Sequence, residues 1–552
     1  MEQISPDSVA QAPPSPFSIP IFRNVWLANL ASNFGSLVQS VGAAWLMTML
    51  SNSPTDVALV QASTALPIML FSLWAGALAD NLDRRIMMLC TQSFMLIVSV
   101  GLTLFAWSGA LTPALLLTFT FLIGCGTAFN SPAWQASVGD MVPRPVLPSA
   151  VALNSMGFNI ARSVGPGIGG IIIATAGAAA AFMVNTFSYL GLIFVLLKWK
   201  PPQHTRLLPR EPTSIAILAG LRYVSLSPKI QITLLRATLF AIAASAVPAL
   251  MPLVAKELLK GGPLIYGGLL GAFGIGAVLG AFSSRRLRAR LSTDGIIRLS
   301  SMALVVGVTS AALSGSVLFT IPALMIAGAG WVLALSTFNV AIQLSAPRWV
   351  VARSLSIYQM AAFGGMALGS AAFGYVSEHY GVRDALLAAA GFQAFGMFVG
   401  LFVKLPQVED IDLDPLGRWK EPDIVLPIEH RSGPIVIMVE YRVAEHNIPE
   451  FLTAMRERRR ICRRDGAFRW TLARDLNDPD KWVERYRVPT WLDYVRNTQR
   501  RTKADADIGD EIRRLMKDGQ KPVVHRLIER QVSADMHSLP KAATSPPEPS
   551  ET

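Results

Sequence analysis

VPRPVLPSAVALNSM, residues 142–156, and APRWVVARSLSIYQM, residues 346–360, are two versions of one segment. Pro143 and Arg144 recur as Pro347 and Arg348. The same offset of 204 residues, with no gap, takes Met156 to Met360, Gly165 to Gly369 and Gly170 to Gly374. Each copy joins the end of one long apolar stretch to the start of the next. A bilayer core of about 30 Å takes roughly 20 apolar residues of helix. Twelve stretches qualify, near 22–50, 56–79, 86–108, 112–137, 149–175, 178–199, 230–254, 264–283, 294–315, 319–344, 352–378 and 383–404. The two copies fall between the fourth and fifth spans and between the tenth and eleventh, where a duplicated six-helix unit would put them. Chance similarity between apolar helices is the alternative.

Composition fits that count. Of 552 residues, 52% are hydrophobic and only 16% charged, against about 25% charged in a soluble domain. The charge-rich part begins near Pro406. The expected organisation is a tail at 1–20, a first half at 21–200, a connector at 201–229, a second half at 230–405, a linker at 406–432, a soluble domain at 433–530 and a polar, disordered end at 531–552. The Pro-rich start has no basic region before an apolar stretch and is not a signal peptide. Arginine and lysine crowd alternate connectors (Arg84, Arg85, Arg144, Lys198, Lys200, Arg285, Arg286, Arg288, Arg290), while the opposite ones hold only Lys256, Lys260 and Arg383. That asymmetry puts both termini of an inner-membrane protein in the cytoplasm and accounts for the net charge of +12 without a nucleic-acid partner. Cys90, Cys125 and Cys462 have no metal-site or disulfide spacing. No G-x-x-x-x-G-K-[ST] loop is present for ATP-driven transport.

Between the second and third spans the chain reads Gly76-Ala-Leu-Ala-Asp80-Asn-Leu-Asp83-Arg84-Arg85. Gly76 admits a close neighbour, Asp80 suits the N-terminus of a facing helix, and the arginines hold the loop inside. The matching connector, Gly280-Ala-Phe-Ser-Ser-Arg285-Arg286, has no aspartate. The fifth span contains Asn159, Arg162 and the run Gly165-Pro166-Gly-Ile-Gly169-Gly170. Its proline frees a carbonyl and its glycines let a neighbour slide close. Static packing is the plainer reading of the same residues.

The Gly76–Arg85 loop resembles the signature loop of the major facilitator superfamily, and the GP-x-x-GG ending resembles that superfamily's exporter motif. Ala152 and Ala161 stand where the fuller motif has glycine. With Asn33 and Trp45 in the first span, the chain resembles the transmembrane secretion effector subgroup over residues 20–405. The resemblance implies a twelve-helix transporter of two six-helix halves, a conformational gate at Gly76, Asp80, Asp83, Arg84 and Arg85, and export of a small molecule by proton antiport. It implies no cofactor, no metal and no enzymatic role. Import by the same fold, and a membrane-tethered enzyme, are the alternatives.

No carboxylate lies inside a span, so proton coupling falls to Asp80, Asp140 or a titrating substrate. Arg162 sits about thirteen residues from either end of its span, at a cost of at least about 2.5–3.5 kcal/mol. It is expected either to meet an anionic substrate or to cap carbonyls freed near Pro166. Asn29, Asn33, Ser36 and Ser40 form one polar stripe on the first span. With Gln39, Asn159 and Gln359 they are candidates for the substrate cavity or for interhelical glue. The tail's order, β-α-β-β-α-β, is ferredoxin-like and resembles the dimeric α/β-barrel family, which implies a homodimer through this domain. His446, Trp470 and His525 are candidates for a pocket there.

Overall fold

The computed structural model describes residues 15–200, 213–347, 349–405, 424–429, 431–499 and 502–530. Arg348, most of the linker and the end beyond Arg530 lie outside the described residues, as do the side chains of Asp80 and Arg144. The chain forms two compact units that divide between Ile411 and Asp412.

The first unit is all helix: α1 (Pro20–Leu50), α2 (Pro54–Asn81), α3 (Arg84–Trp107), α4 (Pro113–Met141), α5 (Leu147–Lys198), α6 (Thr213–Ser225), α7 (Pro228–Ala244), α8 (Ala246–Leu253), α9 (Pro263–Arg288), α10 (Thr293–Leu313), α11 (Val317–Ser345), α12 (Val351–Tyr380) and α13 (Val382–Phe402). Pro20, Pro54, Pro113, Pro228 and Pro263 each open a helix, where the missing N–H costs nothing and φ is already helical. Ten helices among the described residues are long and apolar enough to cross a membrane. One of these runs from Ser149 to Lys198 and turns at Gly177, with φ 80° and ψ 172°, so it contributes two spans. A side chain at that φ would be strained. Helix α1 escapes a purely hydropathic count because its polar stripe dilutes it, yet its 31 residues reach about 46 Å. Twelve spans result, the seventh built from α7, α8 and a π turn at Val254–Leu258.

In the first half α1 packs along α5, α2 along α4, and α3 against α4 and α5; in the second, α9 and α10 pack on α11, and α7 on α12. The halves meet along two seams, α2 with α12 and α5 with α9. Connector helix α6 buries Ala216, Ala219 and Tyr223 and touches both α2 and α12. Its other side exposes Ile215 and Leu218, as an amphipathic helix at a membrane face would.

The second unit is a four-stranded antiparallel sheet in the order β2-β3-β1-β4. The strands are β1 (Ile435–Arg442), β2 (Phe468–Arg474), β3 (Lys481–Val488) and β4 (Val523–Ile528), with α14 (Ile448–Asp465), α15 (Trp491–Gln499) and α16 (Lys503–Arg514) between them. Connectivity and strand order are those of a ferredoxin-like domain. Alternate residues of β1, Ile435, Ile437, Val439 and Tyr441, face the core with Phe451 and Met455 of α14, as period-two patterning requires. Gly466 ends α14 in the left-handed region, φ 115°, a common helix stop.

Candidate functional site

The glycines of the fifth span divide between two neighbours. Gly165 and Gly169, one turn apart, lie on α1: a β-carbon at Gly169 would come within 3.2 Å of the Val38 Cα. Gly170 faces α9 in the other half, where a β-carbon would stand 2.8 Å from the Pro263 carbonyl oxygen. A β-carbon on Gly267 of α9 would stand 2.6 Å from the Pro166 carbonyl oxygen. Backbone therefore meets backbone across the seam. The repeat partners do the equivalent work in the second half. Gly369 lies on Ile242 and Ser245 of the seventh span, and Gly374 on Thr55 and Ala58 of α2. A repeat seen as spacing in sequence is thus a repeat in contact: Gly165 and Gly369 pack within their own halves, Gly170 and Gly374 between halves.

Further along the same seam, α5 brings Arg162 against the second half. Its guanidinium carbon stands 5.6 Å from the Trp331 ring of α11 and 6.0 Å from the Phe273 ring of α9. Those two rings meet edge to face at 5.8 Å. Ser163 donates to the Gly274 carbonyl at 3.0 Å and pins the crossing. Among the described residues, no carboxylate or hydrogen-bond acceptor pairs with the Arg162 side chain. Cation–π contact is worth about 0.5–2 kcal/mol, which does not offset the insertion cost of at least about 2.5–3.5 kcal/mol. The Trp331 indole N–H is also buried without a partner. Donors on both sides of the seam are therefore unspent, which suits an acceptor-rich ligand.

The other cavity candidates separate. Asn33 and Gln359 are half-buried and make no side-chain hydrogen bond among the described residues. Asn159 donates back to the Ser155 carbonyl at 2.8 Å, one turn before it. Gln39 is buried inside the first half, where it accepts from Asn185 at 2.7 Å and Ser99 at 3.2 Å. Of the polar stripe, Asn29 is buried while Ser36 and Ser40 are open in mid-span.

The loop between α2 and α3 is tied to the first half. Asp83 caps α3, its Oδ1 accepting from the Arg85 and Ile86 amides. Arg84 donates to Asp140 at 2.8 Å and to the Ala136 carbonyl at 2.9 Å, both on α4. Arg85 donates to the Leu196 and Leu197 carbonyls at the end of α5. Gly76 faces the second half: a β-carbon there would stand 2.8 Å from Ser356 Oγ of α12, and Ser72 donates to the Ser356 carbonyl at 3.2 Å. At the opposite end of the bundle Trp45 stacks on Tyr266, Lys256 donates to the Thr48 carbonyl and Ser53 donates to Glu378 at 3.0 Å.

Sequence reasoning passed over Arg236, although it lies within the seventh span. It is 3% exposed and binds Asp294 at 3.2 Å and the Val403 carbonyl at 2.8 Å. A lone arginine in an apolar run was the available signal. Phe273 and Trp331 carried none, because aromatic residues are ordinary in apolar helices. In the soluble domain Trp470 donates to buried Glu484 at 2.7 Å. His446 is exposed before α14, and His525 lies on the other sheet face, 3.6 Å from Glu440. These three do not form one pocket.

Comparison with known proteins agrees with this architecture. The sequence profile described as transmembrane secretion effector matches residues 11–533, soluble domain included. The enterobactin exporter EntS of Escherichia coli O1:K1 is 26% identical over 400 residues, 71% of this chain and 92% of that exporter. EntS of Salmonella typhi is 28% identical over 406 residues, 70% and 92% respectively. The staphyloferrin A transporter of Staphylococcus aureus is 27% identical over 164 residues, 30% of this chain and 41% of that protein. Among solved structures, an inward-facing, unoccupied bacterial homologue of the human lysosomal transporter Spinster superposes with a TM-score of 0.58. It is 15% identical, and the match covers 71% of this chain and 97% of that one. The nucleoside transporter NupG, as its D323A mutant, gives 0.57 at 12% identity over 70% of this chain and all of that one. The chain belongs to the transmembrane secretion effector family of major facilitator transporters.

Proposed function

We propose that the protein exports a small anionic metabolite of the siderophore kind across the bacterial inner membrane, by alternating access and in exchange for protons. The supporting observation is Arg162, a guanidinium deep in the membrane that rests on aromatic faces of the other half and has no counter-ion among the described residues. An anion entering between the halves meets unspent donors from both, so its binding is coupled to how far apart they stand. The glycine seam at Gly170 and Gly267 is the close-packed contact about which they rock. Relatives named for enterobactin and staphyloferrin A support a siderophore-like cargo. The arginine-rich connectors support a cytoplasmic position for the loop before α3 and for both termini. Asp140, bound to Arg84 at 2.8 Å, ties the end of α4 to the gate loop.

The test uses inverted vesicles with an internal pH-sensitive dye and a panel of catecholate and carboxylate siderophores. Wild-type protein should release protons with one class of compound under an imposed gradient. Arg162→Ala should reduce that transport by about a hundredfold, the scale of losing a charged contact of about 3 kcal/mol, with unchanged elution as folded protein. Full transport by Arg162→Ala would remove Arg162 from the substrate path.

A further inference from the structure

The second half keeps the arginines of its rim and loses the carboxylates that would balance them. In the first half the end of α2 carries Asp80, Asp83 caps α3, and α4 supplies Asp140. The repeat offset that takes Gly76 to Gly280 takes Asp80 to Ser284. Helices α4 and α11, each 29 residues long, correspond end to end at that same offset, so Leu344 stands in the place of Asp140. The cap of α10, matching Asp83, is Ser292. Residues 281–300 nevertheless contain Arg285, Arg286, Arg288, Arg290 and Arg298 against a single carboxylate, Asp294. Asp294 is held by Arg236 and Arg298, and Arg288 donates to Ser336 at 3.2 Å. Arg285, Arg286 and Arg290 are exposed and have no ion pair or side-chain hydrogen bond among the described residues.

One of these arginines continues an apolar stripe. Ile275, Leu279, Phe282 and Arg286 follow one another at i, i+4, i+7 and i+11, along one face of α9. The first three are 48%, 52% and 80% exposed on a membrane-spanning helix, so they face lipid chains. Ile275 lies at the middle of α9, and eleven residues at 1.5 Å each carry the stripe about 16 Å to Arg286. Half of a bilayer core is about 15 Å. The Arg286 side chain therefore emerges where lipid phosphates lie, and a guanidinium pairs with phosphate through two parallel hydrogen bonds. A zwitterionic headgroup brings its own cation to that phosphate. Against a surplus of unbalanced arginines, a headgroup with net negative charge is favoured.

We infer that the arginine-rich end of α9 is a binding site for an anionic phospholipid, its phosphate on Arg286 and an acyl chain along Phe282, Leu279 and Ile275. Arg285 and Arg290 add positive charge beside it. The site rests on the membrane body alone and stands whether or not the cargo assignment at Arg162 does.

The experiment is native mass spectrometry of the full-length protein released from neutral detergent, with phosphatidylglycerol or phosphatidylcholine of identical chains added at rising concentration. Phosphatidylglycerol should be retained with at least about tenfold the affinity of phosphatidylcholine. A basic side chain near an anionic lipid contributes about fivefold. Arg286→Gln should therefore weaken phosphatidylglycerol by about fivefold and the double variant Arg285→Gln, Arg286→Gln by about 25-fold, leaving phosphatidylcholine unchanged. Both positions are exposed, so the melting temperature should hold. Arg383→Gln removes the same charge from an exposed position at the opposite end of the bundle and should leave the affinity as it is. Inorganic phosphate, which has no chain to lay along the stripe, should not displace the lipid. Equal affinity for the two lipids, equal losses in Arg286→Gln and Arg383→Gln, or displacement by inorganic phosphate would each overturn the proposal.

Discussion

The two halves meet the same physical problem at their arginine-rich ends and answer it with different residues. Each half ends in a helix whose last carbonyls lack intrahelical partners and carry the negative end of the helix dipole. In the first half Arg85, from the first turn of α3, donates to Leu196 and Leu197 at 2.9 and 2.8 Å, while Arg84 pairs with Asp140. In the second, Arg236 of α7 donates to Val403 at 2.8 Å and is balanced by Asp294, which also binds Arg298 at 2.6 Å. The environments differ: Arg84 is 26% exposed and Asp140 17%, against 3% for Arg236 and 13% for Asp294. The duplicated unit is therefore preserved as a set of satisfied groups rather than as a motif. The first half carries its arginines on a loop at the rim, near the seam it shares with α12. The second buries its cation as an internal strut. That asymmetry fits a gate at one loop and an anchor at the other.

The largest effect should separate rim from strut. Arg236→Met strands Asp294 with one partner and leaves the Val403 carbonyl uncapped, at a cost of about 3–5 kcal/mol. Arg84→Met breaks a half-exposed pair and costs about 1 kcal/mol. Thermal melting of the two variants in detergent should show Arg236→Met largely unfolded or aggregated and Arg84→Met near wild type; equal losses would erase the distinction. A middling effect should come from the seam. Gly267→Val drives a side chain into the Pro166 carbonyl and should cost about 1–3 kcal/mol together with most transport. Gly271→Ala, whose β-carbon would meet only the Ser163 carbonyl at 3.5 Å, should transport normally in the same vesicles. If both are inert, the seam is not a pivot. The smallest effect should be the one the halves share. Asp83 caps α3, and Ser292 caps α10 through the Gly295 amide at 3.2 Å. Asp83→Ala and Ser292→Ala should each lower stability by about 0.5–1 kcal/mol, visible as matched small shifts of melting temperature, and a large excess for Asp83 would mean its carboxylate does more than cap.

Much of this was legible in the chain, for local reasons. Helix spans follow from runs of apolar residues and opening prolines, and the soluble domain's strands follow from alternation such as Ile435, Ile437 and Val439. The bend at Gly177 was legible as a boundary between two spans but not as a turn made by a single glycine at positive φ. Gln39 shows the limit at the candidate site. It lies beside the polar stripe in sequence, yet it points into the first half at Asn185. A change of about 100° per residue around a helix separates a cavity wall from a helix interface, and periodicity does not say which face meets which neighbour.

Sequence by itself determined the membrane body, its duplication, the positions of the glycines and the presence of a deep, uncompensated Arg162, because apolar length, residue spacing and the cost of a charge in hydrocarbon are properties of the chain. Only the tertiary structure decided that Gly170 meets Gly267 across the halves, that Arg162 rests on Phe273 and Trp331, and that Arg236 rather than a second aspartate loop ties down the other end. These are contacts between residues about a hundred or more positions apart, or carried by side chains of ordinary type. What selects them is the packing of backbone against backbone at glycine and the need of each buried donor and carbonyl for a partner, and both are settled only when the helices come together.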